Sequence, residues 1–503
     1  MRMALLIVLV VLSGAMLAPG LVVGPSLDAA VFTHIGGSVL DGASPYLGSW
    51  DHKPPGIYLA SAAVQAMLGW VGPWTADWLL SLGATVGIGL AVATVLARLG
   101  VAGWPRQLGA IGATLLASHY LLALGGGLTE PVATALVAAS LAIAVRPPER
   151  AGIALAGGLL GISLVVSPQV LPGAVMVIGV AVGLQPARLR MGGAALLVGA
   201  AALPVAATAA WLSLVGALPA ALDAVVTYSA AYRAASEGYG TALGTPVAAW
   251  TVLISLYLIT AALLGAASLG TASPRRRGML IGSLLWIGGS LVLIVVQGHF
   301  YAHYVIPLTV PLGILAGLGL DRTRESLGRV RRSGMRILIA LPLVATLGVS
   351  MLAGTYTAAT QIAIATDQSE RMQAVAARLR DLPAGTLLVW GNEPRLYDLA
   401  ERVPATRYTY FFPLTTPGYT TPAMIDEVER RLKTDPPEVV VDAGSGAPGA
   451  PGFLPMLIPR PILTDGRDLD LLDPLRAFVA QRYELVATVA GWPIYVRRSG
   501  NSP

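Results

Sequence analysis

Cysteine is absent from the 503 residues, which excludes disulfide staples, thiolate metal sites and a thiol nucleophile. Charge is nearly as scarce. Only 12% of the chain is Asp, Glu, Lys or Arg, against roughly a quarter in ordinary soluble proteins. Lysine occurs only at Lys53 and Lys433, so arginine carries almost all the positive charge. No Walker loop is present, and no G-x-G-x-x-G opens a helix after a strand, so nucleotide binding has no support. No internal repeat is evident. What the chain has in quantity is apolar: 55% of residues are hydrophobic and the mean hydropathy is +0.69.

The net charge of +6 hides an asymmetry. Residues 1–356 hold 18 Lys+Arg and 10 Asp+Glu, and residues 357–503 hold 15 and 17, so the two parts carry +8 and −2. The positive excess belongs to the apolar part, which argues against a nucleic-acid-binding face. Stretches of about 17–25 apolar residues are long enough to cross a bilayer. Such stretches fall near 4–24, 76–97, 106–123, 129–145, 151–167, 170–186, 192–214, 246–268, 279–297, 303–320 and 337–357, about eleven spans. Arg98/Arg106, Arg146/Arg150, Arg188/Arg190, Arg275–Arg277 and Arg322–Arg336 mark cytoplasmic connections. Alternation then puts 25–75, 119–130, 167–170, 215–245, 298–303 and 358–503 outside. This closes only if 57–72 does not cross. That segment starts after Pro54-Pro55 and is followed by Trp70, Trp74 and Trp78, which suits an amphipathic helix lying on the outer surface. The first run is long for the apolar region of a cleaved leader and more spans follow, so it reads as a span. The expected setting is the inner (plasma) membrane, crossed many times.

Beyond residue 357 the composition changes. Strands are expected at 386–390, 438–442, 483–488 and 493–498, and helices near 394–402, 421–433 and 472–482, with a Gly/Pro/Ala loop at 444–452. Strands alternating with helices indicate a small α/β domain. The expected fold is therefore a polytopic α-helical membrane domain, 1–357, and an extracytoplasmic α/β domain, 358–503.

On this topology every histidine and the one lysine near the membrane lie on the outer side. The densest knot is Asp51-His52-Lys53-Pro54-Pro55-Gly56. Asp28 follows the first span, Glu130 opens a span in Thr129-Glu130-Pro131, His119 precedes it, and His299 and His303 sit four residues apart. Ionisable groups beside lipid are costly and usually functional. Carboxylates can act as bases, imidazole and carboxylate can hold a divalent metal, and lysine can neutralise a phosphate. Plainer readings exist for each: Asp28 as a helix cap, Pro54-Pro55 as a structural stop, Ser167-Pro168-Gln169 as a turn, and Tyr228, Tyr232 and Tyr239 as interfacial anchors.

The combination of Asp28, Tyr46, Asp51-His52-Lys53-Pro54-Pro55, Thr129-Glu130-Pro131, His299–Tyr304 and an outer α/β domain resembles the GT-C glycosyltransferases, in particular family 39, the protein O-mannosyltransferase and aminoarabinose transferase type. The resemblance covers nearly the whole chain in layout. It implies a sugar donor carried on a polyprenyl phosphate and a lipid, glycan or protein acceptor at the outer face. Asp28 matches the acid that activates the acceptor or organises the site, and Glu130 the second outer acid. His52 and Lys53 match the positions facing donor phosphate, and His52, His299 and His303 match metal ligands for Mg, Mn or Zn. The family often has Asp-Glu where this chain has Asp28-Ala29, which puts in doubt any role needing both acids. The segments Val389–Asn392 and Arg407–Phe411 also look like the outer domain of bacterial members, without a catalytic role. The other class to weigh is a transporter or flippase; its expected mark, charge at mid-depth in the spans, is almost missing. A third class, a non-catalytic scaffold, would use the outer domain to bind a partner.

Overall fold

The computed structural model describes residues 2–145, 149–184, 190–235, 263, 265, 269–329, 333–445 and 470–498. Helices dominate the first three-quarters: α1 (Arg2–Leu17), α2 (Pro19–Val23), α3 (Leu27–Leu40), α4 (Gly56–Leu68), α5 (Pro73–Arg98), α6 (Trp104–Ser118), α7 (Tyr120–Ala123), α8 (Thr129–Ala144), α9 (Arg150–Val166), α10 (Leu171–Gly183), α11 (Arg190–Leu214), α12 (Leu218–Leu222), α13 (Ser229–Ala234), α14 (Pro274–Gln297), α15 (Thr309–Arg329) and α16 (Ser333–Arg380). Five apolar helices are long enough to cross a membrane among the described residues: Met3–Val23, Pro73–Arg98, Arg190–Leu214, Pro274–Gln297 and Ala302–Glu325. Leu27–Leu40, Gly56–Val71, Thr129–Ala144, Arg150–Val166 and Pro168–Gly183 are apolar but shorter. Most of the expected span at 246–268 lies outside the described residues.

Lipid removes the hydrophobic drive between helices, so close packing of small residues must hold them. α9 packs on α11 and α8, and α6 packs on α15 and α5. Gly109 of α6 lies directly against the backbone at Gly313 of α15. Arginines gather at one end of this array. Arg275 donates to the carbonyl of Val145, and Arg276 to Leu99. Arg324 donates to Ala102, and Arg276 and Arg324 both pair with the buried Asp321, at 3.1 and 2.7 Å. Cations at the C-terminal ends of α5 and α8 meet carbonyls that have no partner within their own helix.

The opposite end differs from the sequence expectation in three places. Residues 27–40 form a buried helix, α3, where a loop was expected; its Gly36-Gly37 pair and His34 break an otherwise apolar pattern. Residues 218–234 are also helical, with a π-helical stretch at Asp223–Tyr228 between α12 and α13. His299 and His303 do not share a regular helix. α14 ends at Gln297 with Gly298 left-handed, and a 3-10 helix, Ala302–Leu308, begins after His299. The expected helix at 57–72 is α4, of 13 residues, with one side buried against α3 and α5.

α16 runs unbroken for 48 residues through the change of composition at 357. It leads into a four-stranded sheet, β1 (Leu387–Trp390), β2 (Val439–Asp442), β3 (Tyr483–Val489) and β4 (Trp492–Arg497), in the order β1-β2-β4-β3. β1 and β2 are parallel; β4 is antiparallel to both of its neighbours. α17 (Arg395–Leu399), α18 (Pro422–Thr434) and α19 (Asp473–Arg482) complete this part. β1 and β2 are buried along their whole length, as strands covered on both faces are.

Candidate active site

Asp28 stands in the first turn of α3, behind the N-cap Ser26, whose hydroxyl accepts from the Ala29 amide at 3.3 Å. Its side chain is exposed and makes no hydrogen bond among the described residues. A carboxylate is favoured there by the helix dipole. Glu130 stands in the first turn of α8. It is 1% exposed, and its Oε1 is buried without a hydrogen-bond partner. Such a group is costly unless something outside the chain satisfies it. The two helix starts are brought together by the loop Gly125-Gly126-Gly127. Gly127 has φ +83°, and a Cβ there would stand 2.5 Å from the Cβ of Ala29. Ala29 is therefore sealed beneath this loop, which leaves no room for a longer side chain.

The loop after α3 is cross-braced around Asp51, which is 3% exposed. Its Oδ2 accepts from the Tyr58 hydroxyl at 2.7 Å and the Lys53 amide at 3.4 Å. Its Oδ1 accepts from the Tyr410 hydroxyl at 2.6 Å and faces His52 Nδ1 at 3.1 Å. Burial works to raise its pKa, but the His52 charge and the bonds from His52, Tyr410 and Tyr58 outweigh it and hold the carboxyl well below the usual carboxylate range. The Lys53 carbonyl accepts from the Tyr46 hydroxyl at 2.8 Å. Gly56 then opens α4 where a Cβ would stand 2.7 Å from the backbone of Val165, so the Pro54-Pro55-Gly56 run is what lets α4 start against α9.

With its backbone pinned, Lys53 directs its ammonium over the ring of Tyr304, 5.9 Å from the centroid. It makes no ion pair among the described residues. Burial tends to lower its pKa, but Tyr304, Glu130, Asp28 and Asp51 outweigh burial and lift it above the ordinary lysine value. One cation thus sits in the field of both candidate acids without being bonded to either.

The histidines form a stack rather than a ligand cluster. Tyr232 stacks on His299 at 4.2 Å, His299 on Tyr301 at 5.6 Å, and Tyr301 on His303 at 5.5 Å. His299 Nε2 is 3.2 Å from the carbonyl of Tyr232, and burial pushes its pKa down. The His52 ring lies 5.2 Å from Tyr228. No group of three metal-ligating side chains forms among the described residues, so the expected set His52, His299 and His303 is not gathered around one point. The i, i+4 spacing suggested convergence only if the segment were helical, and it is not. His119 caps α7, its Nδ1 accepting from the Leu121 amide, and the turn expected at Ser167-Pro168-Gln169 is an extended Ser167 leading into a short 3-10 helix, Pro168–Val170. Tyr228 and Tyr232 line the site; Tyr239 lies outside the described residues.

Sequence reasoning gave no role to the C-terminal residues that reach this site. Tyr410 bonds Asp51. Arg395 Nη1 donates to the Pro25 carbonyl, three residues before Asp28, at 3.4 Å. Asp398 faces His34 at 3.3 Å and accepts from Trp74 at 3.2 Å. Two cavities lie outside this cluster, and neither is lined by Asp28, Lys53 or Glu130. One, of about 850 Å³, opens between α3 and the C-terminal part beside His34, Asp41, Asp398, Arg402 and Arg430. The other, an apolar groove of about 840 Å³, runs between α10 and α14 past Pro172, Met176, Gly282 and Trp286.

No protein-family model and no curated protein matches the sequence. Solved structures do. ArnT from Cupriavidus metallidurans bound to undecaprenyl phosphate superposes with a TM-score of 0.59 at 14% identity, over 99% of this chain and 98% of that one. The same protein in its apo state gives 0.53 at 12% identity, over 93% and 92%. The oligosaccharyltransferase AglB from Archaeoglobus fulgidus, with an inhibitory peptide and a dolichol-phosphate, gives 0.49 at 12% identity, over 87% and 69%. The likeness to ArnT shows the fold: this chain shares the fold of that protein.

Proposed function

We propose that the protein is an integral-membrane glycosyltransferase that moves a sugar from a polyprenyl-phosphate carrier to a lipid, glycan or protein acceptor at the outer face of the membrane. One observation carries the reading: Lys53, a cation with no ion pair among the described residues, sits in the combined field of the exposed Asp28 and the buried, under-bonded Glu130. In this scheme the donor phosphate docks on Lys53. Asp28 takes the proton of an acceptor hydroxyl as its oxygen attacks the anomeric carbon. The bond from that carbon to the phosphate oxygen breaks, and Lys53 stabilises the phosphate that leaves. Glu130 is the second acid at the reacting centre, and His52 stands with Lys53 at the phosphate position. His52, His299 and His303 each offer an imidazole, but their separation gives a divalent metal no common seat, so no step is assigned to one. Sidedness follows from the arginine-rich end lying opposite the site, with the C-terminal part, residues 358–503, on the outer side.

Purified protein in lipid, given a panel of radiolabelled polyprenyl-phosphate sugars and candidate acceptors, tests this directly. Asp28→Asn is expected to cut transfer at least about a hundredfold with membrane expression unchanged. Lys53→Ala is expected to raise half-saturating donor roughly tenfold or more and leave acceptor dependence alone. Full turnover by Asp28→Asn, or an unshifted donor curve in Lys53→Ala, would remove these assignments.

A further inference from the structure

We infer that Tyr410 is a positioning residue for Lys53, acting through Asp51, so that the C-terminal part is a working component of the donor-binding loop and not a lid over it. The donor assignment rests on the function proposed above; the coupling itself does not.

Three kinds of contact join residues 407–419 to the loop at residues 46–53. The first is hydrogen bonding to main-chain carbonyls: the Trp50 amide donates to the Arg407 carbonyl at 2.8 Å, and the Arg407 side chain, through Nη1, donates back to the Tyr46 carbonyl at 3.1 Å. The second is aromatic. Trp50 is 2% exposed; Tyr228 meets its ring edge-on at 4.8 Å, and Tyr410, Tyr408 and Tyr419 stand 5.9, 6.1 and 6.2 Å away. The third is the bond from the Tyr410 hydroxyl to Asp51. A buried carboxylate must have its oxygens satisfied. Tyr410 supplies one donor to Oδ1, and the same carboxylate orders the Lys53 amide through Oδ2. The chain of contacts is therefore Tyr410 to Asp51 to the backbone of Lys53. Tyr419 extends the brace by donating to Asp223 at 2.6 Å, which fixes the helical stretch carrying Tyr228.

Tyr410→Phe removes one hydroxyl and keeps the ring beside Trp50. Hydrogen exchange reads the coupling without reference to any activity. The variant is expected to speed exchange across residues 46–58 about tenfold, the scale of losing one bond to a charged group, while α6 and α15 keep their protection. Binding of a sugar-free polyprenyl phosphate is expected to weaken by a similar factor. Combining Tyr410→Phe with Asp51→Asn is expected to do no more than Asp51→Asn alone, as residues acting through one contact do. Unchanged exchange in the loop overturns the inference. Additive losses, or unshifted lipid binding in a variant of a lipid-binding wild type, overturn it as well. Faster exchange in a protein that binds no polyprenyl phosphate supports the brace and removes the transferase reading alone.

Discussion

Asp51 and Lys53 stand two residues apart and are used in opposite ways. Asp51 is saturated with hydrogen bonds and buried, so it holds structure; Lys53 has its backbone fixed and its charge uncommitted, so it is free to meet an anion. The distinction predicts a pH signature. The pKa of Asp51 in the folded state lies below its unfolded value, so its contribution is present above roughly pH 3.9 and is lost as the pH falls through the folded value. The stability deficit of Asp51→Asn, followed by thermal unfolding in detergent, is expected to be full at neutral pH and to shrink below about pH 4. A deficit that persists undiminished in acid would show that the carboxylate charge is not what holds the loop. Both residues were legible as a polar knot in the sequence. Their division of labour was not, because it depends on Tyr410, which lies 359 positions away.

At the scale of elements, what the sequence revealed depended on how regular the local pattern was. The α/β strands were placed within a residue or two because short runs such as Val439-Val440-Val441 are bounded by turn residues. Five of the expected spans, near 4–24, 76–97, 192–214, 279–297 and 303–320, return as long apolar helices among the described residues. α3 was missed because glycine and histidine weaken helix propensity and its burial is tertiary, supplied by α4 and the Gly125–Gly127 loop. That loop is a small element with a large effect, since it sets how closely α3 and α8 bring Asp28 and Glu130 together. Gly127→Ala places a side chain at positive φ and against Ala29. It is expected to cost about 2 kcal/mol or more and to lower turnover more than donor binding. Unfolding midpoints and kinetics on the same preparation check both; a neutral substitution would mean the two helix starts are held by other contacts.

At the scale of the whole molecule, the described structure is joined across its two parts by Arg395, Asp398, Arg407, Tyr410 and Tyr419. A chain ending after Arg380 would strip Trp50 of Tyr408, Tyr410 and Tyr419, and would leave Asp51 with Tyr58, His52 and the Lys53 amide but without Tyr410. Losing one donor to a buried carboxylate costs on the order of 1–3 kcal/mol, and uncovering Trp50 adds to it. Such a truncation is therefore expected to accumulate poorly in membranes and to elute as aggregate, as yield and size-exclusion profiles would show. A well-behaved truncated protein would mean that residues 2–380 fold without the brace.

The continuous helix α16 adds a further consequence. Its 48 residues extend roughly 72 Å at 1.5 Å per residue, more than twice the roughly 30 Å thickness of a bilayer's hydrocarbon. Each residue added to such a rod raises what it carries by about 1.5 Å and swings it by about 100°. The rod therefore behaves as a screw thread, and the contact between Tyr410 and Asp51 as the stop against which it is tightened. Two extra residues would turn the sheet to face backwards, and seven would nearly restore its bearing but lift it about 10 Å. No short insertion keeps both angle and height, so in this stretch the count of residues, more than their identity, is the quantity under constraint.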